Sequence, residues 1–378
     1  MFSNRKYDFI LIGGGLFSLT FANLCERFGG DCLIIEKRDV LGGNCVSKSI
    51  NNIDVHLYGP HIFHTNDRFI WDYINQFTDF YQFNLSVKSK VDNNIYSFPI
   101  NLMTLYQIFG VTNPTEANEL ISRNIIKIEN PKNFEEVALR SIGKFLYEKF
   151  IYGYTKKQWG REPKDLPSYI FNRLPIRLSF NDNYYYDEYQ GIPVNGYTSM
   201  LHNMITDKTD VILNYSTSID DVYKLAKKLK SQKKGGIIIT APIDEFYWKY
   251  TFGKLEYRTL TFDIKEYNIP DYQGTVVMTY PSEKIPYTRI VEHKHFTPKI
   301  TENTVIVKEF PSEWEVGNER YYPINTKRNN DLYLKYKSGI LEMFPYVYLG
   351  GRLGSYKYYD MDDTISEAFK LYDVFVNK

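Results

Sequence analysis

The chain is poor in the features that announce several common protein classes. Only three of its 378 residues are cysteine, Cys25, Cys32 and Cys45, all near the start and without a CxxC spacing. That excludes a disulfide scaffold and predicts unbridged thiols in a reducing, cytoplasmic compartment. Nowhere does an uninterrupted apolar run reach the ~18 residues of a membrane-spanning helix. The stretch FILIGGGLFSLTFANL follows Arg5 and Lys6 in the manner of a signal peptide. Asp8, three consecutive glycines and the lack of a small-residue cleavage pattern predict strand, turn and helix instead. Charge of one sign is also missing: 46 basic residues face 45 acidic ones, for a formal net charge of +1. No surface tracking a polynucleotide is expected from that balance. The six histidines form no HExxH, and no GxSxG or Cys–His arrangement stands out. His61 and His64, at i and i+3, lack a nearby third ligand, so no metal is expected.

What the chain does have is a dinucleotide signature at its start. YDFILI reads as a buried strand, GGGLFSLTFANLCERFG as a glycine turn and helix, and CLIIE as a second strand tipped by Glu36. Gly13 serves the tight turn, and Gly15 lets backbone approach a pyrophosphate at the helix N-terminus. Glu36, about 20 residues on, suits the ribose hydroxyls. Ser18 stands where a third glycine is usual, which loosens the expected helix-to-strand contact. A second Gly-Gly, Gly42-Gly43, precedes Asn44, in the pattern of flavoproteins whose extended chain passes the FAD phosphates. Near the other end, YVYLGGRLGSYKYYDMDD predicts a strand, another Gly-Gly with Arg352, and a helix through Ile365 to Phe375. Tyr (34) and Phe (25) supply most of an aromatic fraction of 17%, an excess that AT-rich coding explains except where the rings cluster.

Five strings carry a more specific likeness: YGPHIFHTND (58 to 67), GYTKKQWGR (153 to 161), YQGIPVNGYT (189 to 198), PYTRIVEHKHF (286 to 296) and GGRLGSYKYYD (350 to 360). In this order, over almost the full chain, the sequence resembles the bacterial-type UDP-galactopyranose mutases. The resemblance implies FAD, active when reduced. It also implies interconversion of UDP-galactopyranose and UDP-galactofuranose with no net redox change, flavin N5 attacking the anomeric carbon as UDP leaves. Its two diphosphate arginines correspond to Arg173 and Arg289, and its flavin-facing histidine to His61. Phe150, Tyr154, Thr155 and Tyr184 match the uridine and phosphate path, and Trp159 matches a loop that closes over substrate. Tyr322, Tyr358 and Asp360 match positions near the diphosphate or sugar, and Arg352 would contact FAD. Alternatives are the N-acetylated UDP-sugar, a flavin-dependent oxidoreductase, or a non-catalytic nucleotide-sugar binder. A homodimer is the family expectation.

The expected architecture is α/β, a Rossmann-like FAD-binding domain with a helical insertion and an antiparallel β-sheet domain. The FAD domain is expected from residues 1–78, 193–246 and 336–378, the helical part from 101–167, and the sheet from 79–100, 168–192 and 247–335. Within GYTKKQWGR, Lys156, Lys157 and Arg161 read as a solvated face, and Gly153 and Gly160 as hinges for Trp159. His293 and His295 alternate as strand residues facing one side. Asp360 also reads as a cap of the final helix. Of Tyr184 to Tyr186, one ring is expected in the site and two in packing.

Overall fold

The computed structural model describes residues 5–173 and 176–376, with the side chains of Asn172 and Arg173 excepted. The Arg173 side chain therefore lies outside the described residues.

The apolar run FILI forms the strand Phe9–Ile12, and CLII forms Cys32–Ile35, each with all four residues buried. Unbroken apolar strands of this kind belong in a parallel sheet covered on both faces. They sit in a five-stranded parallel sheet ordered Asp210–Ile212, Cys32–Ile35, Phe9–Ile12, Gly236–Ile239, Val347–Leu349. One face packs on Leu16–Arg27 and Met361–Val376 through Leu19, Ala22, Ile365 and Ala368. The other packs on Ile219–Ala226 and Lys327–Met343 through Val222, Leu225, Tyr336 and Ile340. The carboxyl ends of the three central strands put Gly13, Glu36 and Thr240 side by side, the usual ligand edge of such a sheet.

A seven-stranded sheet stands beside it, ordered Tyr322–Pro323, Tyr257–Tyr267, Thr304–Glu313, Arg289–Glu292, Val277–Thr279, Val87–Val91, Asn94–Phe98. It is antiparallel as expected except where Val277–Thr279 runs parallel to Val87–Val91. The expected strand through HKHF is not one: the strand ends at Glu292, and His293–Phe296 is a 3-10 turn. No helix among the described residues is long and apolar enough to cross a membrane.

The helices between the sheets start at asparagines. Asn101, Asn113 and Asn133 each accept an amide three residues on, at 3.0, 3.0 and 2.9 Å, which fixes the starts of Leu102–Phe109, Pro114–Asn124 and Phe134–Leu146. The last of these kinks at Gly143, runs into a π-helical turn, Tyr147–Tyr152, and continues as Gly153–Trp159. The expected mobile loop is thus a helix, and its glycines are packing positions. Gly153 is helical, and a Cβ there would lie 2.3 Å from the Pro281 carbonyl oxygen. Gly160 ends the helix at φ +63, where a Cβ would lie 2.4 Å from both Arg258 Nη1 and Glu313 Oε1.

Gly143 sets the direction in which this helical train leaves. Its φ of 72° and ψ of 169° are open essentially to glycine alone, and a Cβ would approach the Asn124 carbonyl oxygen to 2.4 Å. Gly143→Ala is expected to cost about 3 kcal/mol or more in urea unfolding. Gly110→Ala, at φ +73 with nothing within 4 Å, should cost only about 1 kcal/mol.

Candidate active site

The sheets and the helical part enclose a cavity of about 1230 Å³. At its nucleotide end, the turn after Phe9–Ile12 leaves Gly13 at φ +101, with a Cβ there only 2.2 Å from Thr240 Oγ1. Gly15 caps Leu16–Arg27 with no side-chain partner, so first-turn amides are left for a ligand. The Gly42 amide donates to the Gly14 carbonyl at 2.8 Å, bringing the two glycine pairs backbone to backbone. A Cβ on Gly43 would stand 3.1 Å from Gly15 Cα. The approach is tight on the Gly43 side, and it leaves a cradle for an anionic group at the helix start.

Glu36 closes the cradle. One carboxylate oxygen accepts the Gly14 amide at 2.6 Å and the other the Arg38 amide at 2.9 Å. That leaves about half of a carboxylate's four acceptor positions for ribose hydroxyls. Ser18 does not join this wall. It is fully buried in the helix, off the cavity, and its Oγ has no partner among the described residues.

Arg38 is a cavity residue that the sequence reading passed over. It donates to the Gly43 carbonyl at 2.8 Å and to Asn44 Oδ1 at 3.1 Å, pairs with Glu319 at 2.8 Å, and lies over the Tyr58 ring at 4.4 Å. Its available signal was its place two residues after the acid that tips the second strand.

At the middle of the cavity, His61 Nε2–H donates to the Asn44 carbonyl at 2.7 Å, which fixes the tautomer and leaves Nδ1 as an acceptor. Its amide donates to His56 Nδ1 at 3.0 Å, and the Tyr197 hydroxyl donates to its carbonyl at 3.1 Å. Burial pulls the His61 ring down to about 4. The buried His56 and His293 rings are lowered as well, His293 to about 3, chiefly by burial.

The far end carries the remaining candidates. Arg289 Nε donates to Glu309 at 2.6 Å, and the carboxylate is only 1% exposed. Burial opposes the Arg289 charge, but Glu309, Tyr154 and Tyr322 more than offset it, and its pKa is raised. A row of ring faces crosses the cavity from Trp159 to Tyr322 (6.4 Å between centroids) to Tyr358 (5.9 Å), which lies under Arg352 at 4.6 Å. Arg352 also donates to the Tyr359 carbonyl at 2.5 Å. Phe150, Tyr154, Thr155, Tyr184 and Asp360 line the same space. Asp360 also meets the final helix through its backbone, its carbonyl accepting the Thr364 amide at 3.0 Å.

Two of the three consecutive tyrosines, not one, face the cavity. Tyr184 and Tyr185 line it, whereas Tyr186 is exposed under the Arg177 guanidinium at 3.9 Å. Tyr185 stacks on His64 at 3.8 Å, and His64 donates to Asp187 at 2.7 Å. His293 is buried beside His56, while His295 turns away to pair with Asp271 at 3.2 Å and Glu292 at 3.3 Å.

A glycine cradle with an acid-tipped second strand, sharing one cavity with a half-buried arginine and an aromatic row, defines a dinucleotide-dependent enzyme with a second ligand region. Comparison with known proteins narrows the class. Residues 11–77 match the NAD(P)-binding Rossmann-like domain, and residues 149–358 match UDP-galactopyranose mutase. A probable UDP-galactopyranose mutase of Klebsiella pneumoniae is 39% identical over 99% of this chain and 96% of its own. A dTDP-fucopyranose mutase of Escherichia coli is 38% identical over 97% and 98%. A crystal structure of reduced UDP-galactopyranose mutase shares the fold with a TM-score of 0.74 at 15% identity, covering 98% of this chain and 96% of that one. The chain belongs to the UDP-galactopyranose mutase family, a family of isomerases.

The buried histidines make stability acid-sensitive. Their folded values lie below the ordinary 6.5, so the unfolded chain takes up protons first as pH falls. The contribution is complete above about pH 6.5 and is lost progressively toward about pH 3, with His61 and His293 each losing about 2 kcal/mol by pH 5. Thermal unfolding should show a clear drop in midpoint between pH 7.5 and pH 5, and His56→Gln should flatten it.

Proposed function

We propose that this chain interconverts the pyranose and furanose forms of UDP-galactose, with FAD held by the glycine cradle. Gly13, Gly15, Gly42, Gly43, Asn44, Glu36 and Arg352 would hold the cofactor, joined by Arg38. Reduced FAD supplies a nucleophilic ring nitrogen and leaves the reaction in its starting oxidation state. The observation that carries this reading is the single cavity in which Arg289 faces the same space as His61 and the cradle.

The chain's own task is to hold and release a diphosphate. Arg289 presents a planar fork that keeps its charge, and Glu309 behind it fixes its direction. Tyr322 and Tyr358 bring two flat faces to the sugar side, and Tyr154, whose hydroxyl burial pushes up to about 12, remains a neutral donor. Trp159 and Phe150 supply apolar cover for the base, with Thr155 and Tyr184 along the same path. Asp360 stands near the sugar. His61, neutral and fixed in one tautomer, offers an acceptor toward the ring that FAD would place there. Arg173 is proposed as the second diphosphate arginine. The division into three parts, the homodimer and the cytoplasmic location belong to the same proposal.

One observation favours a second reading. The relative named for dTDP-fucopyranose is as similar as the one named for UDP-galactopyranose, 38% against 39%, so a dTDP-6-deoxyhexose is the competing substrate.

Purified protein loaded with FAD and reduced with dithionite should isomerise UDP-galactofuranose to the pyranose form, followed by chromatography, without stoichiometric loss of reductant. Faster turnover of dTDP-fucofuranose would move the assignment to the second reading, and no isomerisation of either sugar would defeat both. Arg289→Ala should keep the flavin absorbance and lose about 10²- to 10³-fold in kcat.

A further inference from the structure

The helix Gly153–Trp159 is seated on the neighbouring sheet by two cations whose partners are backbone carbonyls. Lys157 projects into the connection between Val277–Thr279 and Arg289–Glu292. Its ammonium lies 2.6 Å from the carbonyl oxygen of Tyr280 and 2.9 Å from those of Ser282, Ile285 and Tyr287. Three N–H donors are shared among four carbonyls, so residues 280–287 wrap around this one charge. From the opposite side Arg258, 2% exposed, donates to the Gln158 carbonyl at 2.8 Å and the Lys157 carbonyl at 3.0 Å while pairing with Glu313 at 2.5 Å. These are last-turn carbonyls with no partner inside the helix. Lys156 pairs with Glu162 at 2.9 Å and Glu283 at 3.2 Å, and Arg161 with Glu256 at 3.1 Å.

The expected solvated face is therefore a docked one. We infer that Lys157 is a positioning residue. Its ammonium ties the helix carrying Trp159 to the loop that ends next to Arg289, and so sets the separation of the ring and the guanidinium that take opposite ends of a nucleoside diphosphate. Three observations point the same way. The loop carbonyls turn inward toward Lys157 rather than outward to water. Gly153 lies against the loop at the Pro281 carbonyl, where no side chain fits. Arg289 begins its strand two residues after the last caged carbonyl, Tyr287. Lys157 itself touches neither end of the ligand region, so its effect passes through Trp159 and Arg289.

This inference rests on the reading that the cavity takes a nucleoside diphosphate, and UDP binding to the wild-type FAD-loaded chain tests that reading separately. By calorimetry with UDP, Lys157→Met, which keeps the apolar stem and removes the donors, should weaken binding about tenfold while flavin absorbance is retained. KM for the nucleotide sugar should rise by a similar factor, with kcat changed less than about threefold. Trp159→Ala should weaken UDP on its own, and adding Lys157→Met to it should weaken UDP less than about twofold further, because both remove the same placement. A Lys157→Met affinity within about twofold of wild type overturns the inference, as do effects that multiply in the double variant. Should Lys157→Met not accumulate as folded flavoprotein, hydrogen exchange on the wild type decides. Amides of 156–160 and 282–288 should gain protection together on UDP binding, and independent responses overturn the inference.

Discussion

One backbone hydrogen bond, from the Gly42 amide to the Gly14 carbonyl, holds the nucleotide end in its shape. It brings two glycine turns so close that a Cβ on Gly43 would press on Gly15 Cα at 3.1 Å, and the residues that follow each turn inherit their positions from it. Asn44 follows Gly43 and offers its carbonyl to His61, whose amide in turn rests on His56. Arg38 spans the same stretch, bound to Gly43 and Asn44 at once. The floor of the cavity is in this sense a chain of backbone contacts, with side chains added where a charge or a ring is required.

The second region is organised on a different principle. The cations of the cavity wall are fixed by buried or half-buried carboxylates: Arg289 at this end by Glu309, and Arg38 at the nucleotide end by Glu319. A guanidinium taken out of water costs several kcal/mol unless it is paired and its donors are used. The carboxylates answer that cost while leaving part of each fork toward the cavity, which is why strong cations survive in a wall otherwise built from rings.

What could be read from the sequence was local. The glycine turn and the acid-tipped strand that follows it lie within one short strand–turn–helix–strand stretch, so spacing alone exposes them. Arg289, Trp159 and the tyrosines came from resemblance, not from spacing, because nothing local distinguishes a cavity ring from a core ring. The misreadings concern long-range partners. Gly153 and Gly160 look like hinges until Pro281, Arg258 and Glu313 are seen against them, and Lys157 looks solvated until the loop around it is known. His293 fits a strand pattern, yet the chain leaves the sheet one residue earlier. Arg38 was passed over, two residues after the more familiar Glu36, and Tyr185 was counted with the packing rings although it lines the cavity.

The row of faces from Trp159 through Tyr322 and Tyr358 to Arg352 has a consequence for selectivity. Hydrogen bonds reward one orientation of a hydroxyl and penalise the others, whereas a flat π surface holds a partner by area and tolerates rotation and sliding across it. A wall of this kind offers no rung on which a six-membered ring would sit better than a five-membered one. It can therefore shelter a molecule while that molecule changes its own skeleton.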